Sequence, residues 1–467
     1  MGKAQVIAKP DVGGPVIKSV GLVRNMGFWQ IWAVGVGSVV GDGVFLYMAD
    51  GIQYGGPSAM IGFFAAGVIQ MLLMVAMGEI SVGMPSAGAM SVWVETYLGK
   101  FFGLLSGLTF SVGWVVLGGS ISVALGRFTS YWFPAMDLEF GTVFWAAVFF
   151  TVFVIMNIAG TAIAGKGQLI LVAILVAIMI VFGVVGVLKG LDMENFTPFM
   201  PNGFGGMSAV IPIATYAYLG AACLCTSGSE CRKPTDLGRA LVWSSITFIA
   251  VYTLALFVVL GTINWQDASM DVSPFTAAAD VIFGPVGAHI LNVAAWLAAA
   301  TCLIMGTIYT PSRIFYAMAL EGYLPKLFAK LNPKTKTPVA GIVIIWIVGI
   351  IGILVAFYYG ATDFYVTLCN QAVIAWTISW GLAVIAGMKY RQKMGADRIR
   401  REVGWKQPFY PVIPILALAG CVYVLYLSFY DIWQFLGFVI WVAVYLVYYA
   451  CIRNKIKKGL IKSDVQF

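Results

Sequence analysis

The sequence predicts an all-helical membrane protein of about twelve transmembrane helices, and three observations point there. Hydrophobic residues make up 61% of the 467 positions and charged residues only 10%, a balance outside soluble composition. Apolar stretches that can cross a hydrocarbon core of about 30 Å, roughly 20 residues each, recur from Met26 to Cys451. With the N-terminus placed in the cytoplasm, every lysine and arginine of the 28 except Arg127 and Lys189 falls on the cytoplasmic side.

In chain order the helices are expected near 26–50, 57–83, 99–131, 141–161, 167–188, 207–230, 239–262, 287–319, 338–358, 364–388, 410–430 and 433–452. Residues 1–25 read as a polar cytoplasmic arm and 453–467 as a cytoplasmic tail. Everything between, 26–452, reads as one transmembrane domain, since no composition shift marks a soluble one. The first apolar stretch is full length rather than the short core of a cleavable signal, so it is expected to stay as the first helix. Basic groups gather in Lys389–Lys406, Lys326–Lys336 and Arg453–Lys462, whereas the opposite loops carry Asp137, Glu139, Asp192, Glu194, Asp267 and Asp271. The net charge of +8 therefore reflects orientation in the bilayer. A nucleic-acid footprint would need a folded basic face. Cys223, Cys225, Cys231, Cys302, Cys369, Cys421 and Cys451 lie within helices or near cytoplasmic ends, so no disulfide is expected and no metal site is suggested.

Two segments depart from a lipid-facing helix. Residues 35–45 read GVGSVVGDGVF, with Gly35, Gly37, Gly41 and Gly43 inside nine residues and Asp42 between the last two. Thr215, Tyr216, Tyr218 and Gly220 interrupt the sixth helix, five spans later. A helix that gives up internal hydrogen bonds in a membrane survives only where its backbone is buried or lines a cavity. Broken helices at matching positions of two halves point to a binding site near the midplane.

These residues resemble the amino acid, polyamine and organocation (APC) transporter superfamily, in particular its bacterial amino acid permease branch. The resemblance runs over nearly all of residues 20–420. It is carried by the glycines before Phe45, by GEISVGMPSAG with Glu79, Pro85 and Gly88, and by Glu230 four residues before Pro234. Ser312 and Arg313 with Gly322 and Pro325, and QPFYPVIP from Gln407 to Pro414, add to it. It implies a LeuT-like fold with inverted five-helix repeats over about 26–188 and 207–388, plus two further helices over about 410–452. It further implies a secondary transporter of amino acids or small organic amines in the cell (inner or plasma) membrane, working by alternating access.

By that resemblance Val40, Gly41, Asp42, Gly43, Thr215, Tyr216, Tyr218 and Gly220 would form the substrate site. The broken helix leaves free amides at Gly41 to Gly43 for an anion and free carbonyls at Thr215 to Gly220 for a cation, which together suit a zwitterion. The rings of Tyr216 and Tyr218 offer π faces to an ammonium. Asp42 departs from the small neutral residue usual in amino acid carriers. Three roles stay open to it: contact with a substrate amine, a proton or cation site, or a cap on the second half-helix. The first would make the protein a cationic amine or polyamine carrier or exchanger. Trp114 aligns with a substrate-facing aromatic of the branch, and would serve equally as a packing indole. Asn370 is a polar candidate in the tenth helix, and Gln371 beside it could instead tie helices together.

Glu79 and Glu230 read as gate or cap ion pairs with nearby basic residues, and His289 as an interfacial residue. For coupling, the helix-five stretch Gln168–Ala177 lacks the lysine that some proton-coupled members use in place of sodium, and Thr301 and Cys302 make an imperfect pair of sodium-site hydroxyls. The coupling ion, H+ or Na+, stays open, and no other cofactor is expected. The expected partners are a small-molecule substrate and the lipid bilayer, with no nucleic acid, and the protein is a monomer or a homodimer. The chain has no HExxH and no GxSxG in a strand-turn-helix context, which argues against an enzyme. A sensor that keeps the carrier fold without turnover is the remaining alternative.

Overall fold

The computed structural model describes residues 16–17, 24, 26–45, 47–270, 273–359, 361–429, 432–458 and 465–466. Most of the arm and the end of the tail lie outside these residues, as does the side chain of Asp42. Within them the chain is a helical bundle. Ten helices are long and apolar enough to cross a membrane, and Phe28–Val39 and Val412–Ser428 are shorter apolar helices. Val16–Ile17 and Val465–Gln466 form one small antiparallel pair that joins the arm to the tail.

The first half runs α1 (Phe28–Val39), α2 (Asp42–Phe45), α3 (Met48–Gly55), α4 (Ala59–Gly83), α5 (Met90–Leu98), α6 (Lys100–Ser130), α7 (Leu138–Ala159) and α8 (Thr161–Lys189). The second begins with α9 (Gly203–Ala217), passes through 3-10 turns over Leu219–Glu230, and continues as α10 (Pro234–Thr262), α11 (Trp265–Met270) and α12 (Pro274–Phe283). Next come α13 (Pro285–Thr301), a π-helical stretch Cys302–Tyr309, α14 (Thr310–Leu320), α15 (Val339–Tyr359) and α16 (Ala361–Met394). A short α17 (Ala396–Arg398) precedes α18 (Val412–Ser428) and α19 (Ile432–Lys457).

The first expected helix, 26–50, is not continuous: it breaks at Val40 and Gly41 and its second half runs on to Gly55. The tenth, expected over 364–388, extends to Met394, because Lys389, Arg391 and Lys393 are good helix formers that end the apolar pattern without ending the helix. The segment beyond it, read as a polar loop, folds back under the bundle. There Trp405 packs against the bare Cα of Gly78 in α4 and of Gly238 in α10.

Small residues set the tight contacts. Gly119 of α6 meets Gly352 of α15 backbone to backbone, and Gly126 lies against the Thr142 carbonyl of α7. Two packed groups result: α1 lies on α10, α10 on α4 and α4 on α9, while α6 gathers α7, α15 and α16. The broken spans meet α6 and the π-helical stretch between the groups.

Candidate functional site

α1 ends at Val40, whose amide still donates to the Val36 carbonyl at 2.8 Å before the chain leaves helical geometry (φ −73°, ψ 87°). α9 ends at Tyr218 (φ −100°, ψ 0°), one and a half turns after Pro212, which removes a backbone donor from the same helix. The breaks lie side by side. A Cβ on Gly220 would overlap the Ser38 carbonyl, and one on Gly43 would stand 2.9 Å from the Tyr216 ring. Only glycine permits either approach.

The carbonyls exposed by the two breaks share one donor that sequence reasoning missed. The Tyr252 hydroxyl of α10 lies 2.8 Å from Val39 O and 3.3 Å from Ala217 O. A phenol carries one hydrogen, so the two acceptors share it. Opposite them, the Cys302 thiol points at Ser38 O at 3.7 Å, and the π-helical stretch that starts there brings Thr310 Oγ1 within 2.9 Å of Met305 O, to which it donates. Pro311 has no N–H to continue an α turn at this point. Wide turns of this kind recur at functional sites.

Between the breaks is a cavity of about 20 Å³. Ser38, Gly41 and Gly43 border it from the first break, Tyr216, Ala217 and Gly220 from the second, and Trp114, Cys302 and Trp376 from the surrounding helices. Trp114 is 2% exposed and its Nε1 has no hydrogen-bond partner among the described residues. Its ring stacks on Trp376 at 4.5 Å, and Trp376 in turn donates from Nε1 to Phe110 O at 3.0 Å. A tryptophan deep in a membrane helix, away from the interface belt, was a signal available for Trp376.

Other expected residues stand back from this cavity. Tyr218 turns away and packs on Tyr252 and Phe248, with ring centroids 5.1 and 5.3 Å apart. Thr215 donates to the Ile211 carbonyl, and Val40 is buried without reaching the cavity border. Asn370 is one layer behind: it accepts at 2.8 Å from Tyr47, whose ring meets Tyr216 edge-on at 5.3 Å. Gln371 donates to Gln434 and so ties α16 to α19. Thr301 Oγ1 donates to Ala298 O, while the Gln168 amide lies against Gly37 and within 3.5 Å of Thr301 O.

Glu230 and Glu79 each meet an arginine. Arg313 Nε is 3.4 Å from Glu230 Oε1, with both side chains buried, and its guanidinium lies 3.7 Å over the Tyr309 ring. Glu79 pairs with Arg391 and accepts from Gln407 N at 2.6 Å, and Arg391 lies 4.2 Å over the Tyr410 ring. His289 is exposed, with its ring edge-on to Tyr131. Among the described residues no three His, Cys, Asp or Glu side chains come together to hold a metal.

A family model described as amino acid permease matches residues 30–461. The chain belongs to the amino acid permease family. This permease is 26% identical over 458 residues to the amino-acid permease RocE of Bacillus subtilis, across 93% of this chain and 96% of the relative. It is 28% identical over 387 residues to the aromatic amino acid transport protein AroP of Escherichia coli K12, across 79% and 82%. Against the probable threonine/serine transporter YbxG of Bacillus subtilis, the permease is 25% identical over 427 residues, across 86% and 88%. It is a multi-pass membrane transporter and not an enzyme.

Proposed function

We propose that this permease is a secondary transporter that carries an amino acid or a small organic amine across the cell membrane, holding it between the breaks of the first and sixth spans. The observation that carries this reading is the small cavity where the breaks cross, to whose border Trp114 brings an indole N–H without a partner among the described residues. A buried donor left unsatisfied is costly, and a bound substrate would satisfy it. The amides of Gly41 to Gly43 suit a carboxylate, and the Tyr216 and Trp114 rings suit an ammonium. The relatives range from an aromatic amino acid transport protein to a probable threonine/serine transporter, which supports the amino acid class without choosing a member. Asp42, adjacent to both cavity glycines, favours a second reading in which an amine without a carboxylate is the cargo.

In this reading the ten long helices, the broken first span and α18 make twelve spans, as two five-helix repeats and two extra helices. Both termini are cytoplasmic, in keeping with the basic loops and with the pairing of arm and tail. The group of α1, α4, α9 and α10 rocks against the group around α6. Glu79–Arg391 and Glu230–Arg313 close the cytoplasmic end. The Gln168 amide fills the space between Gly37 and Thr301, so coupling by protons or by exchange fits better than a sodium ion there.

Uptake into liposomes by the purified protein tests the reading. Labelled alanine or ethylamine is expected to accumulate with sodium replaced by choline, and no uptake of either would sink it in favour of a sensor. Asp42→Asn separates the two cargoes. An amine carrier loses affinity by more than about tenfold, or about 1.4 kcal/mol, while an amino acid carrier keeps or gains it.

A further inference from the structure

Behind the Trp114–Trp376 wall lies a second and larger space, a partly open cavity of about 130 Å³ between α6, α16 and α19. Val112, Gly113, Leu117, Ala372, Ala375 and Phe438 are among its borders. The space is apolar, because its polar border groups are already engaged: Gln371 donates to Gln434, and Thr109 accepts from Trp441 Nε1 at 3.4 Å. A dry cavity of roughly 150 Å³ is enough to take benzene, so this one has room for about one aromatic ring. The cavity between the breaks, about 20 Å³, has room for about one water.

The two spaces nearly touch. Leu117 borders both. Gly113 borders the larger, and any side chain there would overlap Nε1 of Trp376, which borders the smaller. The Trp376 indole is therefore the partition. It is held on three sides, by its hydrogen bond to Phe110 O, by stacking on Trp114, and by contact with the Phe110 ring at 5.8 Å. Moving it means losing the hydrogen bond to a buried carbonyl.

We propose that Trp376 is a specificity-determining residue whose indole, seated on Gly113, seals the substrate cavity from the apolar chamber and restricts the permease to substrates with small side chains. The chamber is a latent subsite for an aromatic or large aliphatic side chain. This rests on the reading of the cavity between the breaks as the substrate site. A single methylene in a closed apolar pocket changes selectivity by roughly 10- to 200-fold, so a full ring against a fixed indole is rejected strongly.

The test is uptake by the full-length protein in liposomes, using a small and a bulky member for each headgroup: alanine and phenylalanine, ethylamine and phenethylamine. Wild type is expected to carry the small member of one pair and its bulky counterpart at least tenfold more slowly. Trp376→Ala should raise the bulky-to-small ratio at least tenfold. Leu117→Ala, which thins the same border, should move the ratio in the same direction by less. Wild type carrying the bulky member as fast as the small one overturns the inference, as does an unchanged ratio in both variants. Should Trp376→Ala fail to insert, the wild-type ratio and Leu117→Ala decide. Failure of wild type to carry any of the four speaks against the substrate-site reading itself, and is thereby distinguishable.

Discussion

A single phenolic hydroxyl, that of Tyr252, bridges the two broken spans between Val39 O and Ala217 O. Replacing the residue with phenylalanine keeps the ring that packs on Tyr218 and removes the hydroxyl. Two buried carbonyls then lose their shared donor, at a cost of about 1–3 kcal/mol. Tyr252→Phe is expected to lower the unfolding midpoint in detergent and to slow uptake; an unchanged midpoint with unchanged uptake would remove the phenol from the account. Part of this was legible. A tyrosine in the apolar run from Phe248 to Val259 has a polar tip that needs a partner. Its acceptor Val39 is 213 positions away, however, and nothing local to either segment names the other. Trp376 is the same kind of case, since its position in a membrane helix was an unused signal while its seat on Gly113 could only come from packing. Tyr218 is the converse: its sequence neighbours suggested a ring facing the cavity, and the turn at the break rotates it onto α10 instead.

Among the elements, the helix breaks were the most legible, because glycine at 35, 37, 41 and 43 is poor helix and a lipid-facing span would not carry it. The π-helical stretch was not. Its residues, Cys302 to Tyr309, are apolar and helix-compatible, and only Pro311 beyond it hints at irregular winding. The segment after α16 was read as a polar, basic loop, and its packing was not foreseen: Trp405 wedges between α4 and α10 and Gln407 N donates to Glu79. That anchoring makes the Glu79–Arg391 pair a joint between elements, linking α4 to α16. Removing one partner of a buried pair strands the other and typically costs roughly 3–5 kcal/mol. Glu79→Gln and Arg391→Gln are each expected to destabilise the protein, and the double variant by less than the sum of the two. Additive losses in a double-mutant cycle would mean that the pair does not act as a unit.

For the whole molecule, composition and charge placement were enough to anticipate a helical membrane bundle, since lipid admits little else. They could not say which helices move together, because that depends on contacts between distant spans. Both buried ion pairs cross from the group of α1, α4, α9 and α10 to the helices around it. Glu230–Arg313 does so at the end of the 3-10 turns, and Glu79–Arg391 at the end of α4. Cutting both should bias the protein toward opening at that end. Cys302 borders the cavity and is buried, so it reports on access. In inverted membrane vesicles with Cys451→Ser as background, Glu79→Gln/Glu230→Gln is expected to speed labelling of Cys302 by a water-soluble maleimide several-fold. Labelling as slow as in the parent would mean that the pairs do not hold that end shut. The π-helical stretch has a consequence for how this end and the cavity stay in step. A wide turn holds one more residue than an α turn, and one residue of α winding is about 100° of rotation. Cys302 faces Ser38 and Arg313 faces Glu230 only because the intervening turns set the phase between them. Deleting a single residue there would swing Arg313 off its partner while leaving Cys302 in place, so in this stretch the count of residues, more than their chemistry, synchronises the two.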